Sequence, residues 1–279
     1  MAQLARHGAL LAVTGLCVTL AADSLWLLPA MAVHGLALVF LFAPLHETIH
    51  RTAFQSRRAN AVLAWLCGLV LLIPPTDFRH FHWAHHRHTQ DPARDPELAT
   101  PKPASRPAYL LHLSGLPFWR DRIVALVRQA GGNAARPYLP AAAGPRAVRE
   151  ARLFLVLYAA AATVAFLAGS TAPLVYWAIP VVLGQPALRA FLLAEHTGCP
   201  TVADMTRNTR TTLTTRLARL LGWNMSFHTE HHLHPSVPFH ALPKLHGLLA
   251  RRLGCVAPGY RAAHREIRAG FGGAGIPRS

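Results

Sequence analysis

Charged residues are scarce in this chain. Only 14% of its 279 residues are Asp, Glu, Lys or Arg, while 52% are hydrophobic. Soluble domains contain about 25% charged residues. No Lys or Arg occurs in residues 7–50 or 153–188. This composition excludes an ordinary highly charged soluble domain and favours a membrane protein.

Sequence signatures of redox cofactors and of disulfide frameworks are also lacking. The four cysteines, at positions 17, 67, 199 and 255, form no CxxC pair, which argues against a disulfide framework and an iron–sulfur motif. The chain has no glycine-rich dinucleotide fingerprint and no CxxCH haem attachment motif. Electrons for any redox reaction therefore have to come from another protein.

Four apolar segments approach the length that crosses a bilayer. They cover roughly residues 4–22, 26–45, 153–168 and 174–193. Short turns at 23–24 and 169–173 join them in pairs, so each pair predicts a helical hairpin. A fifth run, 61–75, is shorter and ends in Pro74 and Pro75, which predicts a re-entrant or interfacial segment.

Positive charge is distributed unevenly around these segments. The net charge is +16, yet both tight turns lack Lys and Arg, so the positive-inside rule places both termini and the central region in the cytoplasm. We expect an all-α integral membrane protein with two transmembrane hairpins and a cytoplasmic helical cap that carries the histidines. It would form one domain over 1–279, with a basic connector at 92–144, in a bacterial inner membrane.

Histidine is abundant and clustered. Spacings of three and four residues place the members of each cluster on one helix face. The clusters are His46/His50, His82/His85/His86 and His228/His231/His232, with His196 alone between the second and third. One zinc site uses three or four protein ligands. Nine imidazoles therefore predict two metal ions.

Carboxylates adjoin these histidines. Neutral imidazoles do not balance the charge of two metal ions, so nearby carboxylates are expected to orient and support the ligands. Because neighbouring residues on a helix point about 100° apart, each glutamate is expected to support a histidine of another helix. The candidates are Glu47, Asp91, Asp95, Glu97, Glu195 and Glu230.

Two other functions, a metalloprotease and a metal transporter, are alternatives for a histidine-rich membrane protein. His46, Glu47 and His50 also form HExxH, the zinc metalloprotease signature with Glu47 as general base, but a protease leaves seven clustered histidines unexplained. A metal transporter would need more ligands along a spanning path.

The remaining histidines are expected at structural, supporting or surface positions: His7, His34, His80, His88, His112, His234, His240, His246 and His264.

The full pattern resembles the membrane fatty acid desaturase and hydroxylase superfamily. The resemblance extends over roughly residues 10–245 and consists of HxxxH, HxxHH, a lone histidine and a final HxxHH. Residues 82–97 read HWAHHRHTQDPARDPE and are similar to the second histidine box of that superfamily. Residues 224–235 read NMSFHTEHHLHP and are similar to its third box.

The resemblance implies an oxygen-dependent di-iron enzyme that introduces a double bond into the acyl chain of a fatty acid or membrane lipid. A lipid or carotenoid hydroxylase or ketolase is the alternative within the superfamily. Asn224 is expected to reach a metal through water. The implied iron ligands are His46, His50, His82, His85, His86, His196, His228, His231 and His232.

The same resemblance implies partners. A separate electron donor, such as a ferredoxin-like carrier with its reductase, is needed. The basic cytoplasmic face would attract an acidic carrier or anionic lipid, and nucleic acid is not expected because no recognised fold accompanies the charge. Five tryptophans are candidates for lining an acyl channel or for the aromatic belts of the membrane: Trp26, Trp65, Trp83, Trp177 and Trp223.

Overall fold

Helices make up most of residues 1–271, the part of the chain that the computed structural model describes. The α-helices are α1 (Ala2–Leu20), α2 (Leu27–Val39), α3 (Phe42–His50), α4 (Arg57–Leu71), α5 (Pro75–His88), α6 (Arg106–Ser114), α7 (Leu116–Ala130), α8 (Gly144–Leu167), α9 (Ile179–His196), α10 (Met205–Asn208), α11 (Arg216–Leu221), α12 (His228–Leu233), α13 (Leu242–Leu249) and α14 (Tyr260–Ala269). Two short strands, β1 (Thr211–Thr212) and β2 (Val256–Ala257), pair in parallel. The predicted helical class is confirmed.

Four helical segments are long and apolar enough to cross a membrane, as predicted. They are Ala2–Leu20, Leu27–His50, Ala141–Leu167 and Leu174–His196. The second consists of α2 and α3, which are separated by Phe40 and Leu41. The fourth begins with a π-helical turn at Leu174–Ala178 and continues into α9.

The helices of these spans begin and end at other residues than the predicted bounds. Two helices run on to His50 and His196, beyond the expected ends at 45 and 193, and α8 begins at Gly144 and not at 153. The first helix covers Ala2–Leu20 in place of the expected 4–22. Hydropathy falls at the first polar side chains, whereas backbone hydrogen bonds continue the helix past them. The histidines therefore lie in the last turns of these helices and not after them.

The apolar run near residue 61 ends in a sharp turn. Helix α4 stops at Leu72, which adopts a left-handed conformation (φ 59°), and the chain bends by 97° into α5. Pro75 occupies the first turn of α5, where a missing N–H costs no helical hydrogen bond. The Pro74–Pro75 pair thus ends one helix and starts the next.

The basic connector is more structured than its composition predicts. Residues 92–144 contain α6 and α7, which meet at Gly115, a left-handed residue (φ 73°). A Cβ atom at Gly115 would clash with the side chain of Gln185 in α9. Helix α6 therefore packs against α9, and α7 packs against α8, instead of forming an open linker.

Helices α2 and α9 cross at a pair of glycines. A Cβ atom on Gly35 would overlap the carbonyl oxygen of Pro180, and one on Gly184 would overlap the carbonyl of Gly35. Backbones can approach this closely only where no side chain intervenes. The crossing brings together the two helical segments that end at His50 and His196.

Candidate metal centre

Helix α3 holds the first histidine pair at its C-terminal end. The ring centroids of His46 and His50 lie 5.1 Å apart. The helix stops at Arg51, whose φ is 65°, and Thr52 then donates its backbone N–H to the carbonyl of Glu47. The two rings are 3% and 8% exposed, so they face the interior.

Helix α5 holds the second cluster and packs against α3 through imidazole rings. The ring centroids of His46 and His82 are 4.3 Å apart, and those of His50 and His86 are 4.8 Å apart. His85 lies one turn along the helix from His82 and is also buried. The first and second clusters therefore belong to one site.

Helix α12 holds the third cluster, although it has only six residues. A helix this short is unstable by itself in water. Two hydrogen bonds to the segment at β1 hold it in place. Thr229 Oγ1 of α12 donates to the carbonyl of Thr209 at 2.8 Å, and Thr211 Oγ1 of β1 donates to Glu230 Oε2 of α12 at 2.5 Å. Tertiary contacts thus fix the position of these three histidines.

His196 ends α9, where a buried arginine binds the last carbonyl groups of the helix. Arg210 is 1% exposed and donates from Nη1 to the carbonyl oxygens of Ala194 at 2.5 Å and Thr197 at 2.8 Å. A cation at a helix C-terminus satisfies free carbonyls and opposes the helix dipole. Its Nη2 also lies 3.3 Å from Glu266 in α14. The sequence showed no sign of this role for Arg210.

The structure brings all nine predicted histidines into two adjoining groups. In each group one nitrogen from every ring lies within 4.8 Å of the others, and all nine residues are buried. The five-histidine group consists of His46, His50, His82, His86 and His231. The four-histidine group consists of His85, His196, His228 and His232.

The imidazole nitrogens point at one another. His86 Nε2 is 2.9 Å from His82 Nε2, and His196 Nε2 is 3.1 Å from the Nε2 atoms of both His85 and His228. Two nitrogens that bind one ion at about 2.1 Å lie about 3.0 Å apart at the right angle of an octahedral site and about 3.4 Å apart at a tetrahedral angle. The spacing within the groups fits a metal.

Several ring nitrogens have no other partner. Both nitrogens of His46, His50 and His231 are buried without a hydrogen bond within residues 1–271. A buried polar group without a partner is costly, and a metal ion would supply a partner for one nitrogen of each ring. Nitrogen donors of this kind suit iron, zinc or copper.

The rings of α12 are in the protonation state that metal binding requires. Burial lowers the pKa of His228, His231 and His232 well below its usual value, and neighbouring imidazoles lower it further. These rings are therefore neutral at physiological pH and keep a lone pair for a metal.

Three of the predicted carboxylates contact histidines of the four-histidine group. Asp95 Oδ1 lies 3.0 Å and Glu97 Oε2 3.4 Å from His85 Nδ1. Glu195 Oε1 of α9 lies 3.5 Å from Nδ1 of His228 in α12. Carboxylates at the second ring nitrogen orient the ring and raise its basicity toward a metal.

Of the other two glutamates, Glu47 has no histidine partner in the described residues, whereas Glu230 approaches a histidine of another helix, as expected, although that histidine lies outside both groups. Within residues 1–271, Glu47 and Glu230 form no ion pair with a histidine of either group. Glu47 Oε1 accepts the backbone N–H of Phe239 at 3.1 Å, and Glu230 Oε1 lies 2.5 Å from Nδ1 of His246 in α13. Each glutamate points about 100° away from the adjacent ligand, toward the elements that pack behind its own helix.

Asn224 and Asp91 lie outside the two groups. Asn224 has a left-handed backbone (φ 58°) and donates from Nδ2 to the carbonyl of Phe239 at 3.1 Å. Asp91 pairs with the exposed Arg94 at 2.6 Å. The water-mediated metal contact expected of Asn224 stays a prediction.

Two other histidines have structural contacts in the membrane-spanning helices. His7 Nε2 is 2.9 Å from the carbonyl of Ala37, and His34 Nδ1 is 2.8 Å from Thr14 Oγ1 of α1. Both residues connect α1 to α2. They agree with the structural role expected for them.

A cavity of about 290 Å³ opens onto both groups. Much of its wall is apolar and includes Phe42, Phe78, Phe81 and Leu192, and none of the five candidate tryptophans lines it. Phenylalanines of α3 and α5 instead lie directly beside the histidines. Of the nine clustered histidines, four line the wall: His46, His82, His85 and His228.

The sequence model of the fatty acid desaturase family matches residues 23–268 of this chain. The chain therefore belongs to the fatty acid desaturase family and is an oxidoreductase. The matched range contains both histidine groups and three of the four candidate membrane spans. No curated protein matches the chain.

Proposed function

We propose that this protein is an oxygen-dependent di-iron desaturase that acts on the acyl chain of a fatty acid or membrane lipid. The observation that supports this most directly is the cavity. Its apolar wall suits a hydrocarbon chain, and it ends on imidazoles of both histidine groups. A methylene chain in this cavity would lie beside the site where the oxidant is held.

The nine histidines would hold two iron ions, one in each group. Their convergent, buried nitrogens fit such ions, as described above. When bound, iron supplies the oxidising power that no side chain has, by using dioxygen. The protein holds the rings in place through Asp95, Glu97 and Glu195 and keeps water from the reacting carbons.

Desaturation needs two electrons from outside this chain. One –CH₂–CH₂– unit loses two hydrogen atoms and becomes –CH=CH–. One O₂ molecule takes up these two hydrogen atoms together with two further electrons and two protons, and gives two water molecules. The chain has no dinucleotide, haem or iron–sulfur motif, so a ferredoxin-like or similar carrier with its reductase would deliver the electrons. The exposed basic residues would attract an acidic carrier.

We place the site on the cytoplasmic side of a bacterial inner membrane. The two turns between paired spans lack positive charge, which supports two hairpins with both termini inside. Histidines of α3 and α5 share one group. The segment between these two helices therefore has to return to the side of the membrane from which it started. This supports a re-entrant α4–α5 unit and one membrane domain that carries a helical cap.

The zinc protease alternative has little support from the geometry. A general base has to reach a water molecule beside the metal. Glu47 is 0% exposed and accepts a backbone N–H from Phe239, and it does not line the cavity. HExxH here contributes two of the nine clustered histidines.

The test is expression in a bacterial host with saturated acyl chains, together with a ferredoxin and its reductase, followed by mass analysis of the lipids. We expect acyl chains that lack two hydrogen atoms, and none from the His82→Ala variant. Chains that gain one oxygen atom would assign the hydroxylase alternative. Unchanged chains from an iron-loaded enzyme with a working donor would refute both.

A further inference from the structure

Two arginines line the cavity without a carboxylate partner. Arg122 in α7 and Arg189 in α9 both belong to its wall. Neither forms an ion pair or a side-chain hydrogen bond with residues 1–271, and the Nε atoms of both are buried without an acceptor. Arg189 lies inside a candidate membrane span, where a charged side chain is expensive and usually functional.

Both guanidinium groups lie near one aromatic ring. Arg189 Cζ is 4.2 Å and Arg122 Cζ is 5.8 Å from the centroid of Phe118. Cation–π contact stabilises each cation to some extent. It does not satisfy the N–H donors, and it leaves two like charges near each other at a half-buried site.

Within residues 1–271 no acidic residue of the same cavity forms an ion pair with Arg122 or Arg189, although Glu195 and Glu97 act on Arg189 from a distance. Glu97 pairs with Lys102 and also approaches His85, whereas Glu195 approaches His228. Asp121 lies 4.0 Å from Arg120 at the surface.

Two further groups near the arginines do not neutralise them. Asp77 acts on Arg122 from a distance, forms no ion pair with it and accepts a hydrogen bond from Tyr138. Burial, followed by the charge of Arg189, lowers the pKa of His112 to about 4. This ring is therefore neutral and adds no further positive charge beside the arginines.

We propose that Arg122 and Arg189 form a subsite for the anionic group of the substrate, a carboxylate or a phosphate, at the end of the acyl cavity. The subsite rests on the acyl substrate proposed above. Guanidinium groups form charge-assisted, often bidentate, hydrogen bonds with both kinds of anion. An anion between them would accept their free N–H donors and neutralise the paired charge.

The position of this subsite relative to the histidines has a chemical consequence. Arg189 precedes His196 by seven residues of one helix, which corresponds to about 10 Å. An acyl chain anchored by its charged end would thus present a methylene group some distance from that end to the metal site. The subsite would set which carbon atoms are oxidised.

The test measures binding without turnover. Purified full-length protein in detergent is dialysed against radiolabelled palmitate or methyl palmitate, which carries the same chain without the charge. We expect the wild type to bind palmitate about tenfold or more tightly than the ester, as charge-assisted hydrogen bonds allow. The Arg122→Gln/Arg189→Gln double variant should bind both ligands equally.

Controls separate charge from folding. Arg128→Gln alters an exposed arginine of the same helix α7 and should behave like the wild type. Arg189→Lys keeps the positive charge and should keep most of the discrimination. Unchanged ester binding and iron content would show that the double variant is folded.

A second pair of ligands distinguishes the source of the anion. If phosphatidic acid binds more tightly than diacylglycerol through these arginines while palmitate shows no advantage, the anion is a phospholipid phosphate. The proposal is overturned if the wild type prefers neither anion over its neutral counterpart, or if the preference survives in the double variant. If anion binding depends on the two arginines but the product is hydroxylated, only the desaturase assignment is contradicted. The proposed subsite is then retained.

Discussion

Replacement of Arg210 by methionine should destabilise the end of α9 and release metal from the four-histidine group. Arg210 donates to the carbonyl oxygens of Ala194 and Thr197, on either side of His196. Methionine fills a similar volume and cannot donate. The variant would leave two buried carbonyl groups without a partner and would free the loop that follows His196.

The size of the effect follows from these contacts. A buried acceptor that loses its donor costs about 1–3 kcal/mol, so two such groups cost about 2–6 kcal/mol. The ion pair with Glu266 adds little, because the Glu266 side chain is 54% exposed and exposed pairs contribute about 0–1 kcal/mol. Typical proteins have about 5–15 kcal/mol of stability in total, so the loss should be large.

The assay is metal analysis and thermal unfolding of the purified protein in detergent. We expect Arg210→Met to lower the iron content from two toward one per chain and to lower the Tm by several degrees. Arg251→Met, at an exposed position with no side-chain contact described above, is the matched control. If Arg210→Met keeps wild-type iron content and Tm, the carbonyl contacts do not position His196 and this reasoning is wrong.

Two further predictions concern the metal ligands and the helix crossing. His231→Ala removes one ligand of the five-histidine group and should lose iron and abolish turnover, whereas the exposed His240→Ala should change neither; full iron content in the His231 variant would exclude that residue as a ligand. Gly35→Ala should separate α2 from α9, because its methyl group would overlap the carbonyl of Pro180, at a cost of about 1–3 kcal/mol, and should lower the Tm. Gly8→Ala meets no atom within 4 Å and should leave the Tm unchanged or raise it slightly; equal Tm values for the two variants would contradict the close crossing.

The histidine pattern was predictable because the chemistry needs several ligands on the same helix face. Spacings of three and four residues give that arrangement in any α-helix. This is why His82, His85 and His86 could be recognised before any fold was known. Their division between two groups could not be predicted, because adjacent rings of one helix, His85 and His86, turn toward different neighbours.

Supporting residues were harder to find because they act through contacts between distant segments. Arg210 belongs to a segment with no periodic pattern, and the partners of both Arg210 and His246 lie in other segments of the chain. Strands of two residues, such as β1 and β2, also leave no detectable alternation in the sequence. For Glu47, the adjacent ligand was visible in the sequence, but the packing behind α3 decided its partner, Phe239.

The sequence by itself determined the membrane class, the four segments apolar enough to span a membrane and the eight histidines clustered at helical spacing, because hydropathy and helical spacing are local properties of the chain. The tertiary structure alone decided which histidines share a group, which carboxylates and arginines surround them, and where the cavity lies. Those features depend on how α3, α5, α9 and α12 pack against one another. The close approach at Gly35 and Gly184, and the loop contacts that hold a six-residue helix in place, are the physical causes of that arrangement.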